Sequence, residues 1–244
     1  MNRPILIQVA MEVECQKILE SISNIEENNL NNYKVYTGLF NSYEIVILLS
    51  RVGLINTSSS LTMAIDKYHP KLVINIGISG STSPNIHIKD IVVGTSILNI
   101  NSYRTPFLEK GSGTNPNNWE LLTFLSGEED RILEEKADKS LLKLTEKLSN
   151  CSKIFYGKIG SGDCWNREID RITYLTDKYN ILCEDMESIA TYTIANNMNI
   201  PVISLKCISD NILTGEEYDR NVSIDFQQNI LEYISILIDN IDKI

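Results

Sequence analysis

Three acids in this 244-residue sequence stand just past apolar runs that read as strands: Glu14 after ILIQVA, Asp163 after KIFYGKIGSG and Asp210 in VISLKCISD. Open α/β sheets bind ligands beyond the carboxyl ends of their strands, so these acids are placed to meet. With the glycine-bearing stretches ISGS and GSG and the ring of Trp165, the set suits cleavage of a glycosidic bond. One acid would protonate the leaving group while another takes a proton from water. Glu187, in EDMES (184–188), is a further candidate. Helical spacing from it gives Ala190, Thr191 and Ile194, a small and apolar face, and a charge on a packed face requires a partner.

Each residue also has a structural explanation. Glu14 in a first helical turn complements the macrodipole. Ser209-Asp210 before Asn211 suits a helix cap or an Asx turn. GSG marks ordinary turns as readily as phosphate cradles, and a large aromatic after a strand is commonly core. A solvated helix start accounts for Glu184 and Asp185. The combination carries more weight than any member.

The elements that would position these residues alternate. ILIQVA (5–10) reads as a buried strand and MEVECQKILESI (11–22) as a helix. YKVYTGLF and YEIVILLS read as two strands about an Asn41-Ser42 turn. A helix near 55–68 leads to LVINIGISGS, a strand running into a small-residue loop, and DIVVGTSILNI (90–100) is another strand. The pattern weakens over 101–130, where KGSGTNPNN is loop chemistry, and a stretch of this kind inside a compact domain is usually functional. A helix near 139–149, the strand KIFYGKIGSG, the helix IDRITYLTDKY, the strand YNILCE, the EDMES helix and the strand PVISLKCIS follow. An amphipathic helix with Phe226, Ile230, Ile234, Leu237 and Ile241 closes the chain. This alternation predicts an α/β fold around a parallel or mixed sheet. No linker or repeat divides it, so residues 1–244 are expected to form one domain.

Composition removes other classes. A formal charge of −10 argues against nucleic-acid and anionic-membrane binding, which need clustered Lys and Arg. No apolar run reaches the ~20 residues of a spanning helix. Cys15, Cys151, Cys164, Cys183 and Cys207 are scattered without C-x-x-C spacing, and their odd count beside an N-terminus unlike a signal segment leads us to expect reduced thiols and a cytoplasmic setting. His69 and His87 have no companion at ligand spacing, so no metal is expected.

Five segments in order carry a resemblance: AMEVE (10–14), VINIGISGS with IKDIVVGTS, GSGD followed by an aromatic, DMES (185–188) and ISD (208–210). Together they resemble the 5′-methylthioadenosine/S-adenosylhomocysteine nucleosidase branch of the purine nucleoside phosphorylase superfamily, over nearly all of the chain except 101–130. The resemblance implies a three-layer α/β/α sandwich with a central mixed sheet, a purine nucleoside as the small-molecule partner, no cofactor and a homodimer.

It also implies roles. Glu14 would take a proton from the attacking water, and Asp210 would hold or donate the proton at N7 of the base. Glu187 would accept from the ribose hydroxyls, with Met186 beneath the sugar and Ser209 beside Asp210. Trp165 would stack on the purine, the Asn166 backbone would read the base edge, and Met11 and Val52 would line the 5′-thio pocket. Ile78 stands near the sugar where the family usually has Ser or Thr, Lys206 where many members have Arg, and Trp165 where Phe is usual. The 101–130 loop lacks the family's Y-H-D or F-H-D stretch. Two alternatives stay open from sequence. One is a phosphate-dependent phosphorylase, against which Asn75 to Ile78 (NIGI) supply neither guanidinium nor hydroxyl. The other is a non-catalytic nucleoside-binding or storage protein on the same fold.

Overall fold

A computed structural model describes residues 3–149 and 153–244. Its centre is a ten-stranded mixed sheet. The strands are β1 (Ile5–Val9), β2 (Ser23–Leu30), β3 (Tyr33–Phe40), β4 (Tyr43–Leu49), β5 (Leu72–Ser81), β6 (Ile91–Asn99), β9 (Glu134–Lys136), β10 (Ile154–Ser161), β11 (Ile181–Asp185) and β12 (Val202–Asp210). Two short strands, β7 (Tyr103–Arg104) and β8 (Glu120–Leu121), pair separately within the 101–130 region. The helices are α1 (Gln16–Glu20), α2 (Leu54–Tyr68), α3 (Lys139–Thr145), α4 (Ile169–Tyr179), α5 (Ser188–Asn197) and α6 (Val222–Asp239).

The sheet order is β11-β10-β6-β12-β5-β1-β4-β3-β2, with β9 added beside β6. Strands β4, β1, β5 and β12 run parallel, which sets their carboxyl ends along one edge. Alternation then feeds two cores. Ile5, Ile7 and Ile45 pack with α6 through Phe226, Ile230, Ile234 and Leu237, whereas Leu6, Val46 and Val73 pack with α2 and α5 through Leu61, Ile65, Ile189 and Tyr192. Helices thus cover both faces, as the near-continuous apolar runs of β1 and β12 require. This is the expected three-layer α/β/α arrangement with a mixed sheet.

Several elements depart from the sequence expectations. The helix expected over 11–22 is a single 3-10 turn, Glu12–Glu14, then α1 of five residues. Its continuity breaks because Glu14 folds back onto the backbone and because Gln227 Oε1, from α6, accepts from Lys17 N at 2.7 Å. ISGS is strand rather than loop: β11 turns back to pair antiparallel with β5, Cys183 opposite Ser81 and Glu184 opposite Gly80. Part of the sheet therefore closes on itself. The EDMES helix begins only at Ser188, so Glu184 and Asp185 belong to β11 and Glu187 is the residue before the first turn. Ile241 lies in a 3-10 turn beyond α6. The β3–β4 hairpin turns at Asn41 and Ser42 as expected, both with positive φ (49° and 63°). Cys15, Cys164, Cys183 and Cys207 are free thiols, and Cys151 lies outside the described residues. Among the described residues no helix is long and apolar enough to cross a membrane.

Candidate active site

The strand ends converge on a cavity of about 260 Å³. The end of β1 brings Met11 and Glu14, the end of β4 brings Val52, and β5 brings Ile78 and Gly80. From β10 come Trp165 and Asn166, from β11 Glu184, Met186 and Glu187, and from β12 Ser209 and Asp210. Of the residues expected from the sequence, Met11, Glu14, Val52, Ile78, Trp165, Asn166, Met186, Glu187, Ser209 and Asp210 line this cavity, and Asp163 does not. Its Oδ1 accepts from Leu54 N at 2.7 Å and so caps the start of α2, leaving no place for it in the reacting set.

Glu14 is nearly withdrawn from solvent at 3% exposure. Its Oε2 accepts from Met11 N at 2.8 Å and Ala10 N at 3.0 Å, and its Oε1 accepts from Ile78 N at 3.1 Å. Burial raises its pKa, while Lys206 and these amides oppose the rise. Gly77 makes room for it, since a Cβ there would lie 2.7 Å from Glu14 Oε1. A carboxylate held on three sides with a raised proton affinity is equipped as a general base.

Beneath the cavity lies a charge cluster that sequence reading did not assemble. Lys206 is fully buried, and its Nζ lies 2.8 Å from Asp185 Oδ2. Asp185 is therefore not the solvated helix-start acid expected of EDMES. It also accepts from Ser188 N and Ser188 Oγ, capping α5. Burial would raise Asp185, but Lys206 and these hydrogen bonds hold it below the usual carboxylate range. For Lys206, burial lowers the ammonium's pKa, and Asp185, Glu187 and Glu14 outweigh that and raise it. Glu187 has a protein partner even without substrate: its Oε1 accepts from Gly53 N at 3.1 Å. Burial still pushes Glu187 up to about 7, with Lys206 lowering it and Asp185 and Glu14 adding to the rise. The sequence signal for this cluster was the lone lysine in the otherwise apolar VISLKCIS.

On the opposite side, Asp210 Oδ1 accepts from Ser209 Oγ at 2.7 Å. The following turn is built by Asn211, whose Oδ1 accepts from Leu213 N at 3.0 Å. Asp210 therefore has no capping duty there and borders the cavity beside Gly80. Trp165 is not core: it is 57% exposed and leans on Tyr218, with ring centroids 5.2 Å apart at 60°. Tyr218 is a cavity residue to which nothing in the sequence pointed, and Glu184, expected as a solvated helix-start acid, lines the cavity instead.

Asn75 points away from this chemistry. It is fully buried in a polar network, donating to Gln8 Oε1 and accepting from Ser188 Oγ (2.8 Å) and Ser204 Oγ (2.7 Å). No arginine or lysine lines the cavity among the described residues.

A family model for the phosphorylase superfamily matches residues 4–241. The chain belongs to that superfamily. A relative from Desulfotalea psychrophila called 5′-methylthioadenosine/S-adenosylhomocysteine nucleosidase is 28% identical over 216 residues, 87% of this chain and 86% of the relative. A relative of the same name from Buchnera aphidicola subsp. Schizaphis graminum is 29% identical over 224 residues, 91% of this chain and 87% of the relative. Among solved superfamily structures, the Streptococcus pneumoniae MTA/SAH nucleosidase in complex with 8-aminoadenine superposes with a TM-score of 0.78 at 20% identity, covering 96% of this chain and all of that one. Futalosine hydrolase of Helicobacter pylori superposes at 0.76 with 21% identity and 98% of each chain covered. These superpositions agree with the three-layer fold described above.

Proposed function

We propose that the protein hydrolyses the N-glycosidic bond of 5′-methylthioadenosine, S-adenosylhomocysteine or a related purine nucleoside, releasing adenine. The observation that carries this is the cavity's charge pattern: acids ring it, and the cation beneath it, Lys206, is held by Asp185. Among the described residues a phosphate dianion would meet carboxylates and no free donor cation, whereas water and a neutral nucleoside suit the site. The nucleosidase names of the relatives support the same reading.

In this reading Glu14 takes the proton from water as it attacks the anomeric carbon. Asp210 holds the proton at N7, so the base leaves neutral. Glu187 accepts from the ribose hydroxyls over Met186, and Trp165 stacks on the base whose edge the Asn166 backbone reads. Ser209 orients Asp210, and Met11, Val52 and Ile78 line the sugar and 5′-thio side. No cofactor takes part. The reading treats the chain as one nucleosidase-like domain serving methionine salvage in the cytoplasm as a homodimer.

The test is adenine release from methylthioadenosine, adenosylhomocysteine, adenosine, inosine and futalosine, with and without phosphate. The expected products from methylthioadenosine are adenine and the free 5-methylthio sugar at a phosphate-independent rate. A sugar 1-phosphate, or a rate proportional to phosphate, would sink the assignment.

A further inference from the structure

Glu184 has no role in the chemistry above, yet it lines the same cavity. Its placement follows from the closed part of the sheet. Glu184 pairs directly with Gly80 across the antiparallel β11–β5 contact, and Gly80 pairs with Asp210 across β5–β12. Directly opposed residues of an antiparallel pair share a face. Asp210 lies on that face too, its Oδ2 only 3.3 Å from where a Cβ on Gly80 would stand. Since the middle residue has no side chain, two carboxyl groups flank a bare glycine floor. Two strand spacings set their backbones roughly 10 Å apart, the width of a slot for a planar base hydrogen-bonded at both edges. Asn166 closes the Glu184 side, its Nδ2 donating to Glu184 Oε1 at 3.5 Å.

A purine laid over Gly80 with N7 at Asp210 turns the far edge of its six-membered ring, N1 and C2, toward Glu184. That pose rests on the nucleosidase reading. We propose that Glu184 reads this edge and extends the site to 6-oxopurine bases as well as adenine. The chemistry divides by protonation. An ionised carboxylate accepts from the N1–H of hypoxanthine or guanine, whereas a protonated carboxyl donates to N1 of adenine, which is an acceptor.

Glu184 can exist in both forms near neutral pH. Burial pushes it up to about 7, with Asn166 and Arg171 lowering it and Asp210 raising it. The other charged or titratable groups around it among the described residues are Cys183 and Asp185 on its own strand, Cys164, Arg167 and Glu168 ahead of α4, and Tyr103 of β7. The β5 residues facing it, Ser79 and Gly80, do not titrate. Glu187 also titrates near 7, but it belongs to the sugar side and acts equally on either base.

The experiment is calorimetric titration of adenine and hypoxanthine into the wild-type protein, Glu184→Gln and Glu184→Val, at about pH 6 and about pH 8. The hypoxanthine-to-adenine affinity ratio should rise about tenfold with pH in the wild type, the scale of one charged hydrogen bond. It should be flat with pH in both variants. A flat ratio in the wild type, an unchanged rise in either variant, or no binding of either base would overturn the proposal. Cleavage does not enter this readout. A protein that shows the pH-dependent ratio yet releases no adenine would sink the hydrolase reading alone.

Discussion

Lys206 Nζ and Asp185 Oδ2 lie 2.8 Å apart with neither side chain reaching solvent. The pair does two things at once: it caps α5 through Asp185, and it places a fixed positive charge near Glu14 and Glu187. Removing one partner of a buried pair leaves an uncompensated charge. Lys206→Met should therefore cost about 3–5 kcal/mol of stability, read by urea unfolding. The cation lowers both Glu14 and Glu187, so its loss should also move the acid limb of the kcat profile to higher pH. An unmoved limb in a folded variant would disconnect the pair from catalysis.

Gly77 tests whether Glu14 must sit where it does. An alanine Cβ would lie 2.7 Å from Glu14 Oε1, closer than contact allows, so the carboxylate must shift. A displacement on the order of 1 Å in a reacting group costs about 10²-fold in rate. Gly77→Ala should show that loss in kcat, and wild-type turnover would mean that the position of Glu14 is not critical.

Asp210→Asn should nearly abolish turnover while the fold survives. The amide still accepts from Ser209 but cannot deliver a proton to N7, and general acid catalysis is worth roughly 10²–10⁴-fold. Normal circular dichroism beside wild-type adenine release would leave Asp210 a structural residue.

Most of the sheet and two of the cavity acids were legible because strand periodicity and strand-end position are local properties. ILIQVA and VISLKCIS announce buried strands, and Glu14 and Asp210 follow from where those runs stop. What was hidden is tertiary. β2, SNIEENNL, is a polar edge strand with most of its side chains in solvent and only β3 beside it, so no apolar alternation marks it. EDMES resembled a helix start because its acids are consecutive. In the structure Glu184 and Asp185 both border the cavity, but Asp185 is tied to the buried Lys206, 21 positions further on, a partner that no local pattern announces. Asp163 erred the other way: a strand-end acid whose partner is the α2 amide at Leu54.

Glu184 should also tune stability with pH. Its folded pKa is raised from 4.5 to about 7, so between those values the folded protein binds the proton more tightly than the unfolded chain does. Stability from this group is full below about pH 4.5, falls as pH rises through the window, and levels off above the folded value. Glu184→Gln removes the penalty. The variant should gain on the wild type from about pH 4.5 to about 7 and then hold a constant advantage of ~1–2 kcal/mol, discounted because the side chain is partly exposed. Melting curves across pH check this, and a difference that is flat with pH would contradict it.

Glu14→Gln separates an enzyme from a binding protein. The carboxylate accepts from three amides, Ala10 N and Met11 N on Oε2 and Ile78 N on Oε1. A glutamine can keep only one oxygen. If that oxygen stays with Ala10 and Met11, its NH2 faces the Ile78 N–H, donor against donor, which should cost ~1–3 kcal/mol of stability. Shape is otherwise preserved, so affinity for a methylthioadenosine analogue should change little. The base, however, is gone, and kcat should fall by roughly 10²–10⁴-fold because the lost interaction acts only as water gives up its proton. A residue that merely complements a helix start would instead cost about 0.3–1 kcal/mol and leave the rate alone. Calorimetric binding, single-turnover kinetics and a melting curve on this one variant decide the matter. A lowered melting temperature with an unchanged kcat would remove Glu14 from the mechanism, and water activation would have to be sought elsewhere among the cavity acids.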